Sequence, residues 1–165
     1  MQRFSFFALL FSLSTLLFWQ CESDASTMQS FDLLEYGVPM SIRVPVDSPQ
    51  VKMSEGFLGD KEVSIKAGEG FDVLLTYAPA STSDMAQLKA EQLGYVKSIS
   101  NFERIVEEEE AGFIYETAID STQSFYGFRY IRLQGDIQYL FQSGLIGTFA
   151  LEDAQMMYAA VKEEE

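Results

Sequence analysis

The hydrophobic pattern changes character three times along the chain. From Phe4 to Trp19 the residues are almost continuously apolar, interrupted by Ser5, Ser12, Ser14 and Thr15, with Arg3 the one charge before Glu22. From Phe31 onward the apolar residues come in short blocks punctuated by glycine and proline, the pattern of strands and turns. Phe31 to Gly37, Met40 to Val46 and Val51 to Phe57 are the first three blocks. Lys61 to Lys66 then alternates, with Val63 and Ile65 on one side and Glu62, Ser64 and Lys66 on the other. A turn at Ala67-Gly68-Glu69-Gly70 and the block Phe71 to Tyr77 complete a predicted hairpin. The period then lengthens. Ser81-Thr82-Ser83-Asp84 offers N-capping side chains, and Met85, Leu88, Leu93, Val96 and Ile99 follow on one helical stripe. Gly94 lies inside that stripe and costs about 1 kcal/mol relative to alanine, so the helix is expected to weaken or end near it.

Strand-like blocks return at Phe102 to Glu107, Phe113 to Ile119, Phe125 to Leu133 and Ile137 to Phe141. Their turns fall at Ala111-Gly112, Asp120-Ser121-Thr122 and Gln134-Gly135-Asp136. A last helix places Leu151, Ala154, Tyr158 and Val161 on one face, with Glu152, Asp153, Gln155 and Lys162 away from it. Glu163-Glu164-Glu165 would set negative charge against the negative end of that helix, so its end is expected to fray. Strands, helix, hairpin-linked strands and a closing helix predict an α+β domain: a largely antiparallel β-sheet with flanking helices, since parallel neighbours need longer crossovers.

The opening segment decides where this domain operates. A basic start and a short apolar run make a secretory signal peptide, expected over residues 1–20. A membrane-spanning helix needs about 20 apolar residues and would tolerate this run's hydroxyls less well. Cys21, the one cysteine of the chain, follows immediately and precedes the polar stretch Glu22-Ser23-Asp24-Ala25-Ser26-Thr27. This arrangement resembles a bacterial lipobox, which implies that Cys21 is acylated and becomes the first mature residue. Gln20 and Phe18 stand where a small and a branched aliphatic residue are usual. The acidic Cys21-Glu22-Ser23-Asp24 start is similar to surface-export signals of lipoproteins in the Bacteroidota. The competing reading is cleavage after Ala25, behind the small-x-small pair Ser23 and Ala25. On the lipoprotein reading, residues 21–30 are the lipidated cysteine and a flexible tether, and residues 31–165 form one domain. The expected place is exported, lipid-anchored at the outer membrane or cell surface. Each buried methylene of an acyl chain adds about 0.8 kcal/mol of membrane affinity.

Charge and chemistry narrow the function. Twenty-five acidic against 11 basic residues give a net charge of −14, which repels nucleic-acid phosphates and anionic head groups. A lone cysteine forms no internal disulfide. The chain contains no histidine, which removes imidazole bases, Ser-His and Cys-His nucleophiles and the commonest transition-metal ligand. No dinucleotide or phosphate loop is present, and Gly68-Glu69-Gly70 is short enough to be a hairpin turn. Glu107-Glu108-Glu109-Glu110, with Glu103 before it, is a candidate cation site. However, alternate strand residues face opposite ways, and hard cations want carboxylates that wrap them. A solvated strand end that guards a sheet edge is the reading preferred here. Phe125, Tyr126, Phe128, Tyr130, Tyr139 and Phe141 either line a groove or knit adjacent strands. Arg129 is expected to point outward if the Tyr130 face packs inward, and otherwise to be buried and to need a carboxylate. Arg132 falls near the end of the same strand.

The Tyr36-Gly37-Val38-Pro39-Met40-Ser41-Ile42-Arg43-Val44-Pro45 opening and the Val63 to Tyr77 hairpin ahead of a helix resemble the Mog1/PsbP-like family. The strand Phe125-Tyr126-Gly127-Phe128-Arg129-Tyr130 and the Phe149-Ala150-Leu151-Glu152-Asp153-Ala154 start of the last helix extend that resemblance over residues 31–162. The family implies an α/β/α sandwich and, for its accessory members, protein binding without shared catalytic residues. The expectation is a non-enzymatic envelope lipoprotein, membrane-bound through its lipid, with a protein partner, no nucleic acid, no cofactor, no metal and no catalytic residue. A carboxylate-based or cation-dependent hydrolase is the alternative.

Overall fold

In the computed structural model, which describes residues 28–56, 59–120 and 123–162, two sheets and two helices follow one another closely. Strands β1 (Gln29–Asp32) and β2 (Ser41–Val44) pair antiparallel as a small separate sheet, Phe31 opposite Ile42. The other strands are β3 (Gln50–Glu55), β4 (Lys61–Lys66), β5 (Asp72–Pro79), β6 (Phe102–Glu108), β7 (Gly112–Asp120), β8 (Gln123–Gln134) and β9 (Ile137–Ser143). They form one seven-stranded sheet in the order β3-β4-β5-β9-β8-β7-β6. Each pairing in it is antiparallel. The helices are α1 (Met85–Lys97), between β5 and β6, and α2 (Leu151–Val161), after β9. The chain is therefore α+β with a large antiparallel sheet and two helices.

The helices occupy opposite faces of that sheet. Phe128 and Tyr130 meet Tyr158 of α2, with ring centroids 6.0 and 5.7 Å apart. Between them in sequence, Arg129 turns to Gln92 and Tyr95 of α1. Successive strand residues point to opposite faces, so one strand serves both layers. On the α2 side the core gathers Val63, Ile65, Val73, Leu75, Phe128 and Phe141 under Ala154, Met157, Tyr158 and Val161, with Leu33, Val38 and Ile42 closing it from the β1–β2 segment. On the α1 side Leu74, Phe113 and Ile131 lie buried near Leu88 and Val96.

Local chemistry explains most boundaries. The Asp84 carboxylate accepts the backbone N–H of Ala86 at 2.9 Å and of Gln87 at 3.2 Å, capping α1 as the sequence predicts. At α2 the Asp153 carboxylate reaches back to the Ala150 N–H at 3.0 Å. The same carboxylate packs on Gly70, where a Cβ would lie 2.3 Å from Oδ1, so the β4–β5 turn and the start of α2 are fitted together at a glycine with φ of +76°.

Three expectations need correcting. The strand predicted from Phe31 to Gly37 stops pairing at Asp32. Asp32 Oδ1 accepts the Leu34 N–H at 2.9 Å, a 3-10 turn covers Leu34–Tyr36, and Gly37 takes φ of +75°. The Asp side chain has competed successfully for a backbone donor that a strand would use. Pairing also begins at Gln29, two residues earlier than the domain start predicted at residue 31. Helix α1 runs through Gly94 to Lys97 and ends before Ile99. Cys21, the signal segment, the rest of the tether, Phe57, the Ser121-Thr122 turn and Glu163–Glu165 lie outside the described residues.

Candidate functional site

Two strand ends each gather several charged side chains, one end acidic and the other basic. The acidic one is the tip of the β6–β7 hairpin. Strand β6 forms an edge of the sheet, and Glu107 to Glu110 close it. Glu107 bonds to Gln155 of α2, while Glu109 accepts from Lys162 at 2.7 Å and from the Tyr158 hydroxyl at 3.2 Å. Glu108 turns the other way, to Lys89 of α1 at 3.1 Å. Glu110 and Glu103 are exposed. The alternation expected of a strand thus divides the run, and its carboxylates clasp the two helices from the two faces. Among the described residues no group of three or more acidic or cysteine side chains converges as a metal site.

These contacts perturb the groups that make them. The Lys162 hydrogen bond, opposed by a lesser effect of burial, holds the Glu109 carboxyl below its usual pKa. Burial first, and then the Glu109 charge, push the Tyr158 phenol well above its ordinary value. Lys162 also lies over the Tyr158 ring, 5.4 Å from its centroid.

The aromatic set is a core. Phe128, Tyr139 and Phe141 are buried, and Tyr126 and Tyr130 pack against the same cluster. Arg129 departs from its outward expectation. The Tyr130 face does pack inward, but α1 covers the opposite face as well, so the guanidinium is half-buried there. It donates to Gln92 Oε1 at 2.9 Å and sits 5.0 Å from the Tyr95 ring centroid. No carboxylate pairs with it among the described residues; an amide and an aromatic ring take that part. Desolvation lowers its pKa against the opposing influence of Tyr115 and Tyr95. Gly68-Glu69-Gly70 is the β4–β5 hairpin turn, closed by the Ala67 N–H to Phe71 carbonyl bond of 3.0 Å.

The basic end lies across the sheet from β4 to β8. Lys61, Tyr77, Tyr139 and Arg132 stand directly opposite one another on four successive strands, and so share one face. The Tyr77 and Tyr139 rings stack at 5.7 Å, Lys61 lies over Tyr77, and Arg132 lies over Phe141. Arg132 is 8% exposed, and its guanidinium donates to the Val161 carbonyl at the end of α2. Arg43, from β2, donates to the Ala159 carbonyl at 2.9 Å. Two arginines from separate sheets therefore hold the C-terminal turn of α2, where the helix dipole favours cations. Beside them opens a cavity of about 320 Å³, lined by Ser30, Ser41, Ile42, Arg43, Arg132, Ala160 and Lys162. Sequence reasoning singled out Arg132 but not Arg43. The signal available was its place in Ser41-Ile42-Arg43-Val44, where a scarce cation alternates with apolar residues.

Comparison with protein-family models, curated proteins and solved structures finds no match for this chain.

Proposed function

We propose that the chain is a non-enzymatic binding or accessory module of the cell envelope, exported and held at the outer membrane or cell surface by a lipid on Cys21. Its partner in this reading is an envelope protein, and its finer architecture is the Mog1/PsbP-like sandwich. The observation that carries the reading is how the acidic run at the β6–β7 tip is used. Glu107, Glu108 and Glu109 are committed to Gln155, Lys89 and Lys162 on the two helices, as fold contacts. Hydrolysis by paired carboxylates would require two acids facing each other across a cleft. The placement of α1 and α2 on opposite faces of one antiparallel sheet supports the finer likeness. The position of Cys21 between an apolar run and an acidic polar stretch supports the anchor.

Intact-mass measurement of the membrane-extracted mature protein, beside a Cys21→Ala variant, tests this directly. The expected mass fits cleavage before Cys21 plus acyl chains, and the variant loses them. A soluble, unacylated product beginning near Ser26 sinks the anchor and the envelope role built on it.

A further inference from the structure

We propose that the loop between β9 and α2 is a membrane contact, with Leu145 and Ile146 at its tip entering the acyl region of the bilayer that anchors the chain. The inference rests on the reading of Cys21 as lipidated and adds a second point of attachment to it.

Leu145 is 78% and Ile146 86% exposed, the highest values for large hydrophobic side chains among the described residues. They are neighbours in sequence, so their apolar surface is one patch. Both feet of the loop are pinned. The Gly144 N–H donates to the Asp72 carbonyl at 2.8 Å, and a Cβ on Gly144 would lie 2.3 Å from the Asp72 carboxyl carbon. On the other side the Phe149 carbonyl accepts the Tyr126 N–H at 3.0 Å, and the Phe149 ring joins the core. The chain thus buries Phe149 and holds Leu145 and Ile146 outward a few residues earlier. Contact with an apolar phase removes that patch from water, at a gain proportional to its area.

The place of the loop in the fold says which apolar phase is within reach. Strand β1 begins at Gln29, opposite Val44 of β2. Val46, just beyond, lies against Gly68 of the β4–β5 turn, its Cγ1 3.6 Å from where a Cβ would stand. That turn leads into Asp72, on which Gly144 is clamped. β1 therefore starts at the end of the molecule that carries the loop. Met28 already packs against the core, and the seven residues from Cys21 to it can span at most about 25 Å. A lipid on Cys21 holds this end near the bilayer. Two aliphatic side chains would hold a freely diffusing protein weakly. On an anchored one the contact is intramolecular, and effective concentration makes it count. The net charge of −14 directs the loop to a zwitterionic surface rather than an anionic one.

The chain from Cys21 to Glu165 keeps every described element and has no tryptophan, since Trp19 is the one in the sequence. Coupling its single thiol to a maleimide-bearing lipid in phosphatidylcholine vesicles anchors it at Cys21 whether or not the native protein is acylated. Leu145→Trp and, in a second protein, Ile146→Trp then report on the loop by fluorescence. Leu34→Trp is the control: Leu34 is 62% exposed and lies beside Tyr36, whose carbonyl accepts the Tyr77 hydroxyl toward the opposite end of β5. The expected result is emission at shorter wavelength from both loop reporters and at least about twofold quenching by phosphatidylcholine brominated on its acyl chains, with less than about a tenth lost from the control. Adding Ile146→Asp to the Leu145→Trp protein should cancel most of both effects, because a carboxylate resists entering the acyl region. Loop reporters whose emission stays unchanged on vesicles overturn the proposal and leave the patch to a protein partner. Equal quenching of Leu34→Trp overturns it too. A natively acylated protein whose loop reporters stay in water loses the loop contact alone. A coupled protein that inserts its loop, beside an unacylated native product, loses the anchor alone.

Discussion

Beneath α2, Phe128, Tyr139 and Phe141 from the sheet meet Ala154, Met157, Tyr158, Ala160 and Val161 from the helix, and the β1–β2 segment seals the margin. Beneath α1, the buried helix residues are Leu88 and Val96, and the sheet answers with Phe113, Ile131 and a half-buried arginine. The same strands supply both faces, so the difference belongs to the helices. Apolar burial scales with area, and five buried positions on α2 against two on α1 make the α2 layer the main source of fold stability. A thin apolar layer tolerates Arg129 because its guanidinium can keep an amide and an aromatic ring for company. The thick layer tolerates Arg132 where helix carbonyls end and need donors.

That comparison fails most visibly if core truncations on the two faces cost the same. Phe128→Ala on the α2 face should destabilise the domain by about 3–5 kcal/mol, the range for a fully buried phenylalanine. Total stabilities run to about 5–15 kcal/mol, so much of the protein's margin would go. Leu88→Ala, equally buried under α1, should cost nearer the lower end of about 2–5 kcal/mol, because a lightly packed helix can settle into the space. Urea unfolding followed by far-ultraviolet circular dichroism measures both. Equal losses would mean that α1 is as firmly docked as α2.

The two arginines sharpen the comparison at a smaller scale. Arg132→Met should lose about 1.5–3 kcal/mol, since a charge-assisted bond disappears and the Val161 carbonyl is left in a buried place. Arg129→Met should lose less than about 1 kcal/mol, or gain, because burial already disfavours that cation and methionine replaces its volume. A larger loss at Arg129 than at Arg132, in the same urea assay, would show that the α1 face depends on its charge.

Local features of this division were legible in the sequence, and long-range ones were not. The Lys61–Lys66 alternation, the Gly68 and Gly70 turn and the Asp84 cap all express interactions within a few residues, and each appears as predicted. The splitting of Glu107–Glu110 between two faces follows from strand geometry alone. The partner of each carboxylate did not follow, because Gln155 and Lys162 lie some fifty residues away. The pairing of β5 with β9 at the centre of the sheet is likewise a choice among chain segments that carry similar apolar patterns. Arg129 misled for a related reason. Alternation says which face a residue takes, but nothing local says that a second helix will cover that face. Arg43 became visible only when β2 was brought beside the end of α2.

The smallest effect bears on whether the weaker layer belongs to the same cooperative unit. Gly94 is exposed in the middle of α1, and a Cβ built there meets nothing within 4 Å. Glycine in a helix interior is about 1 kcal/mol worse than alanine, through backbone entropy and without any packing change here. Gly94→Ala should therefore stabilise the domain by about 0.5–1 kcal/mol and raise its Tm by a few degrees, about 2–5 °C for a chain of this size. The sign depends on cooperativity. A gain in helix propensity reaches the global transition only if α1 unfolds together with the sheet. An unchanged Tm, with slower amide hydrogen exchange confined to α1, would show that the helix opens on its own, and that the α2 layer alone sets the stability of the fold.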